Sequence, residues 1–176
     1  MRYLTLLSLL LSSPAWAGYT VTGTPKVAFQ ATGSVMDMEG IGNSVTLADD
    51  GTNLAFTVPM STVTTDNSLR DAHMRDNYVE VAKFPNAVVS FPRAAVKLPA
   101  GDGEKVSGSV GGTFLVHGVN QPVSITYTAK RAKGVTKVDA KFAFDVSKHG
   151  ISIPSYLGVT IEPAMTATVV LELAGA

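Results

Sequence analysis

At 176 residues, with 14 basic and 14 acidic side chains, the chain can bury one sizeable core and has no basic excess with which to neutralise phosphates. Nucleic acid is thereby excluded as an expected partner. The absence of cysteine removes disulfides, thiolate nucleophiles and cysteine zinc sites, so any fold must rest on packing.

The N-terminus reads as an export signal: Met1-Arg2 supplies positive charge, Leu4 to Leu11 an apolar run, and Ala15-Trp16-Ala17 a small-x-small cleavage pattern. The run falls well short of the roughly 20 residues a membrane-spanning helix needs. Cleavage after Ala17 is expected, and with Gly18 next and no cysteine there is no site for a lipid anchor. The expected mature protein is soluble and periplasmic, without a stable membrane anchor. It comprises 159 residues (176 less 17), 18–176, with 13 basic against 14 acidic side chains, in one domain.

Along that stretch, two-residue alternation recurs, the mark of half-buried strands. It runs through Val27, Phe29 and Ala31, then Leu54, Phe56, Val58 and Met60, with a hairpin turn expected at Asp49-Asp50-Gly51-Thr52. Ser68 to Asp76 departs from alternation and predicts a short helix capped by Asn67 or Ser68, supported by Asp71 and Arg75 four residues apart. Lys83-Phe84-Pro85-Asn86 closes it. Alternation resumes at Ala87, Val89 and Phe91, at Val138, Ala140, Phe142, Phe144 and Val146, and at Ala167, Val169, Leu171 and Leu173. Further turns are expected at Ala100 to Gly103 and Gly118 to Pro122. The result is an all-β chain of about eight strands, and alternation alone fits a two-sheet sandwich or a closed barrel equally.

No local pattern points to catalysis or a metal. His73, His117 and His149 lie 44 and 32 residues apart, with no His-x-His or His-Glu-x-x-His spacing. Neither a Gly-x-Ser-x-Gly elbow nor a phosphate-cradling glycine loop occurs. His117, beside Gly118 at a strand end, reads as a turn-packing residue. Arg70 and His73, three apart, share a helical face that could meet an anionic or carbonyl head group; alternatively Arg70 and Asp71 fasten the helix to the body by hydrogen bonds. Met36, Met38, Met60 and Met165 suit either an adaptable lining or a plug.

The segment Thr64-Thr65-Asp66-Asn67-Ser68-Leu69-Arg70-Asp71-Ala72-His73-Met74, followed by Phe84-Pro85-Asn86-Ala87-Val88-Val89-Ser90-Phe91, resembles the YceI-like family pattern: a threonine, an Arg-Asp-x-His and a Phe/Tyr-Pro block ending in Phe. Val106-Ser107-Gly108 through Gly118-Val119-Asn120-Gln121-Pro122-Val123 resembles its second block, and Gly150-Ile151 its Gly-Ile pair. Just before Gly150 many relatives carry an Arg-x-Asp-Phe-Gly type sequence, where this chain reads Ser147-Lys148-His149-Gly150.

That resemblance implies an eight-stranded antiparallel lipocalin-like barrel, closed at one end, with one short helical insertion. It also implies a non-enzymatic carrier whose relatives hold polyisoprenoid chains, isoprenoid quinones or fatty amides. No cofactor is expected other than such a lipid or quinone, and relatives suggest a homodimer. On this reading the tail contacts are Phe56, Val58, Val89, Phe91, Phe114, Val116, Ile125, Tyr127, Phe142 and Phe144, with Thr64, Arg70 and His73 near the head. The competing expectation is a periplasmic interaction or stress-related scaffold whose barrel is filled by its own side chains.

Overall fold

In the computed structural model, residues 18–153, 155–156 and 159–175 are described. The expected export signal, 1–17, lies outside the described residues.

The alternating segments form strands that meet their neighbours in phase. Leu54, Phe56 and Val58 of β4 (Asn53–Pro59) stand opposite Phe91, Val89 and Ala87 of β5 (Asn86–Pro92). Val138, Ala140, Phe142 and Phe144 of β8 (Val135–Asp145) stand opposite Leu171, Val169, Ala167 and Met165 of β10 (Val159–Ala174). Directly opposed residues point to the same face, so each such pair adds to one continuous apolar surface.

The remaining strands are β1 (Thr20–Gly33), β2 (Met38–Gly42), β3 (Thr46–Asp49), β6 (Lys105–Val116), β7 (Val119–Ala132) and the two-residue β9 (Ser155–Tyr156). All pairings are antiparallel, in the order β2-β1-β10-β8-β7-β6-β5-β4-β3, with β9 beside β10. The two ends of that path, β2 and β3, are consecutive in sequence and joined by only Asn43–Val45. A three-residue link spans at most roughly 15 Å, so the sheet must curl until its ends meet. Counting β2 and β3 as one interrupted strand and setting β9 aside leaves eight, in a single curled sheet rather than a two-sheet sandwich.

Turns follow local backbone chemistry. In the β3–β4 hairpin, Asp50 accepts from the amides of Thr52 and Asn53 while Gly51 adopts φ +84°. The β6–β7 turn sits earlier than the expected Gly118–Pro122: Val116 pairs with Val119, and Pro122 already lies within β7 opposite Thr113. His117 and Gly118 both take positive φ, as a tight two-residue hairpin requires. A turn that the sequence left unmarked, Lys133-Gly134, joins β7 to β8 in the same way.

The predicted helix forms as α1 (Ser68–His73), capped by Asn67, whose side chain accepts from the Arg70 amide at 3.0 Å. It continues as a wider turn through Met74–Tyr78. Residues 64–85 thus form a strap across one end of the barrel. Its far end packs Phe84 against the β6–β7 turn, where a Cβ on Gly118 would stand 2.6 Å from Phe84 Cε1. Gly118→Ala is therefore expected to destabilise by about 2 kcal/mol or more, combining backbone strain with that clash. Gly134→Ala shares the positive φ but meets nothing within 4 Å, so its melt should fall distinctly less.

Candidate functional site

Among the described residues, two adjoining cavities lie inside the barrel. The smaller, about 100 Å³, is walled by apolar side chains from the strands, among them Val27, Leu54, Val110, Ala140 and Leu171. Val96 and Leu98 cap it at the barrel end away from the strap. That cap is held by Tyr127, whose hydroxyl accepts from the Lys97 amide at 3.0 Å and donates to the Lys97 carbonyl at 3.1 Å. The larger, about 490 Å³, lies beneath the strap and is within the range of small-molecule sites, roughly 300–1,000 Å³. Phe29, Ala87 and Phe114 line both.

Every expected tail residue faces one of these spaces. Phe56, Val58, Val89, Phe91, Phe114, Ile125, Tyr127 and Phe142 line the smaller; Val116 and Phe144, with Phe114 again, line the larger. The aromatic rings interlock rather than fill: Phe114 packs edge-on to Phe142 at 5.0 Å and to Phe144 at 4.9 Å, and Phe56 stacks on Phe91 at 5.8 Å. Met38, Met60, Met74 and Met165 also line the larger cavity, whereas Met36 is exposed.

The polar lining of the larger cavity is confined to β2 and the strap: Glu39, Thr65, Asn67, Arg70 and His73. Of the expected head residues, Arg70 and His73 are there, while Thr64 stands off the cavity and its neighbour Thr65 takes the wall position. The Thr64 hydroxyl donates instead to Asp71 Oδ2 at 2.7 Å. Asp71 is only 7% exposed and also accepts from the Thr65 amide at 2.7 Å and the Thr65 hydroxyl at 2.6 Å. Burial pushes this carboxyl up, but those hydrogen bonds and the charge of Arg75 outweigh it and hold it below its usual value.

Arg70 combines the two roles the sequence left open. Its Nε donates to the Thr65 hydroxyl at 2.8 Å and its Nη2 to the Thr65 carbonyl, fastening the strap, while the side chain also walls the cavity. Arg75 adds a bond to the Val63 carbonyl at 2.8 Å. Paired backbone bonds between Ile41 and Thr64 tie the strap to β2.

At the strap's other end His117 forms a second fastening. Its Nε2 lies 2.9 Å from Glu80 Oε2 and its Nδ1 3.1 Å from the His149 carbonyl. A carboxylate and a carbonyl only accept, so a hydrogen on either ring nitrogen finds an acceptor in place. Hydrogen bonds from Lys83 and His117 hold the Glu80 carboxyl below its usual value. The turn-packing role expected of His117 is thus combined with a clasp from strap to turn.

His149 is the residue that sequence reasoning undervalued. It is fully buried, packs edge-on against Phe114 at 5.4 Å and Phe144 at 6.1 Å, and faces the Val119 carbonyl through Nδ1 at 2.9 Å. β8 ends at Asp145 and His149 lies in the helical turn Val146–His149, where the two-residue alternation read as far as Val146 gives no information on its facing. Among the described residues, no group of three or more His, Asp or Glu side chains could hold a metal ion.

An apolar interior capped at one end and strapped at the other can hold an elongated apolar molecule with a small polar end. Comparison with known proteins places this architecture. A polyisoprenoid-binding domain from Saccharophagus degradans, implicated in plant cell wall breakdown, superposes with TM-score 0.72 at 15% identity, covering 91% of this chain and 99% of that one. Burkholderia cenocepacia BcnA gives 0.65 at 14%, covering 84% and 95%. A Campylobacter jejuni YceI protein gives 0.51 at 15%, covering 100% and 90%. These likenesses show the fold. No curated protein matches the sequence. The YceI-like domain profile matches residues 15–173, nearly the whole chain, and the chain therefore belongs to the YceI-like domain family.

Proposed function

We propose that this protein is a periplasmic carrier, not an enzyme, that holds an isoprenoid lipid, isoprenoid quinone or fatty amide with its tail in the barrel and its polar end beneath the strap. The observation that carries this reading is the pair of adjoining cavities that share Phe29, Ala87 and Phe114 as walls, with polar lining only beside β2 and the strap. The polyisoprenoid-binding neighbour supports the ligand class. The expected export signal supports the compartment.

Energetics fit. Ten to fifteen buried ligand carbons at roughly 0.8 kcal/mol each give about 8–12 kcal/mol before the cost of ordering the chain. Arg70 offers only donors, so it suits a carbonyl, carboxylate or phosphate oxygen at the ligand's end.

Phe91 tests the tail assignment. It lines the smaller cavity and is not fully buried, so a larger ring there takes space from the ligand rather than from the core. Phe91→Trp is expected to weaken geranylgeraniol binding roughly tenfold while shifting stability by less than about 1 kcal/mol. Equal affinity in the two proteins, with unchanged melts, contradicts the assignment.

A further inference from the structure

The described residues expose four large apolar side chains, Val35, Met36, Leu69 and Ile153, and all four lie at the strap end of the barrel. Val35 and Met36 sit in the β1–β2 turn, Leu69 on α1 and Ile153 just before β9, so the fold gathers them from separate elements. Ile41 pairs with Thr64 antiparallel, so β2 followed back from Ile41 towards that turn runs alongside the strap from Thr64 towards α1. On the other flank the Thr160 amide donates to the Ser34 hydroxyl at 3.1 Å, and Thr160 pairs with Ser155, two residues beyond Ile153.

The larger cavity opens among these side chains. Leu69 walls it yet is 65% exposed, and Glu39, Asn67 and His73 are likewise both lining and exposed, so the mouth lies between β2 and α1. Val35 and Met36, 73% and 59% exposed, shortly precede the wall residue Met38 but line neither cavity themselves. Exposed apolar groups clustered at one place mark a contact with a membrane or a protein. Even wholly buried, four side chains supply well under the roughly 800 Å² per partner of a stable protein interface, which argues against a second copy. Attachment to a bilayer has no such threshold, because it grows with whatever apolar area enters the headgroup boundary. The exposed charges flanking the turn and the start of α1 are the acids Asp37, Glu39 and Asp66, while Arg70 is tied to Thr65; a zwitterionic surface suits them better than an anionic one.

We propose that the strap end docks on a zwitterionic phospholipid bilayer, with Val35, Met36 and Leu69 entering the headgroup region and the mouth of the larger cavity facing the lipid. A long apolar tail then passes between bilayer and barrel without crossing water. The inference extends the carrier reading, and its first readout needs no cargo.

The single tryptophan, Trp16, lies in the expected export signal, so in the mature protein Met36→Trp reports on this face alone. Lys105→Trp, at an exposed site at the far end of β6, is the control. With phosphatidylcholine vesicles the Met36→Trp emission is expected to move to shorter wavelength and the Lys105→Trp emission to stay fixed. A protein carrying both Val35→Ser and Met36→Ser alters no cavity wall; its partition into the same vesicles is expected to fall about tenfold, with geranylgeraniol affinity in solution unchanged. Equal partition of this variant and the wild type overturns the proposal, as does attachment only when phosphatidylglycerol is added. A Met36→Trp shift that develops without vesicles as protein concentration rises also overturns it, and assigns the face to a second copy. If geranylgeraniol binds neither protein while the vesicle results hold, the carrier reading fails and the docking face stands.

Discussion

Truncating Phe114 to alanine is expected to cost about 3–5 kcal/mol of stability and, in the protein that remains folded, to lengthen the longest prenol that binds. The ring is 2% exposed, lies edge-on to Phe142, Phe144 and His149, and lines both cavities. Its removal takes partners from three rings at once and fuses the two spaces. A denaturant melt measures the first effect, and a series of prenols of increasing length measures the second. A small stability loss together with an unchanged length preference would show that Phe114 is no part of the boundary it shares with Phe29 and Ala87.

Asp71→Ala is expected to be the second large effect, about 2–4 kcal/mol, expressed mainly as detachment of the strap. Two hydroxyls and the Thr65 amide lose their acceptor together, and buried donors without partners cost about 1–3 kcal/mol each when the segment cannot relax. Amide exchange across 67–78 should rise at neutral pH, and ligand exchange should quicken, while the strands opposite stay protected. Acid should reproduce this in the wild type. The Asp71 carboxyl is held below its usual value of 3.8, so the stability it contributes is complete above about pH 3.8 and is lost as pH falls toward its lowered value. Strap protection that is flat from pH 6 to pH 3, or unchanged in the alanine variant, contradicts the fastening.

Much of the interior was legible because a strand's facing is a local property. Phe56 and Val58, or Phe142 and Phe144, follow from period-two alternation, and the register of β4 on β5 and of β8 on β10 keeps each set on one side. Phe114 rather than Leu115 faces inward by the same rule, since Val110, Phe114 and Val116 share the buried face of β6. Closure was not legible from alternation, because pairing between distant strands leaves no local trace; the break at Asn43–Val45 looks like any loop until both its flanks are paired. Thr64 and Thr65 are chemically alike neighbours, and only their placement shows that one holds Asp71 while the other walls the cavity. His117, Glu80 and His149 meet across turns separated by more than thirty residues, where no periodicity applies.

The central claim is that the barrel is a container rather than a filled core. Mass spectrometry of an organic extract from gently purified mature protein, set beside the same protein purified under denaturing conditions, tests it most directly. The account predicts a near-stoichiometric isoprenoid, quinone or long-chain amide in the first sample and its absence from the second. A blank in both, persisting after incubation with prenols, would contradict it and identify the barrel as a scaffold packed by its own side chains.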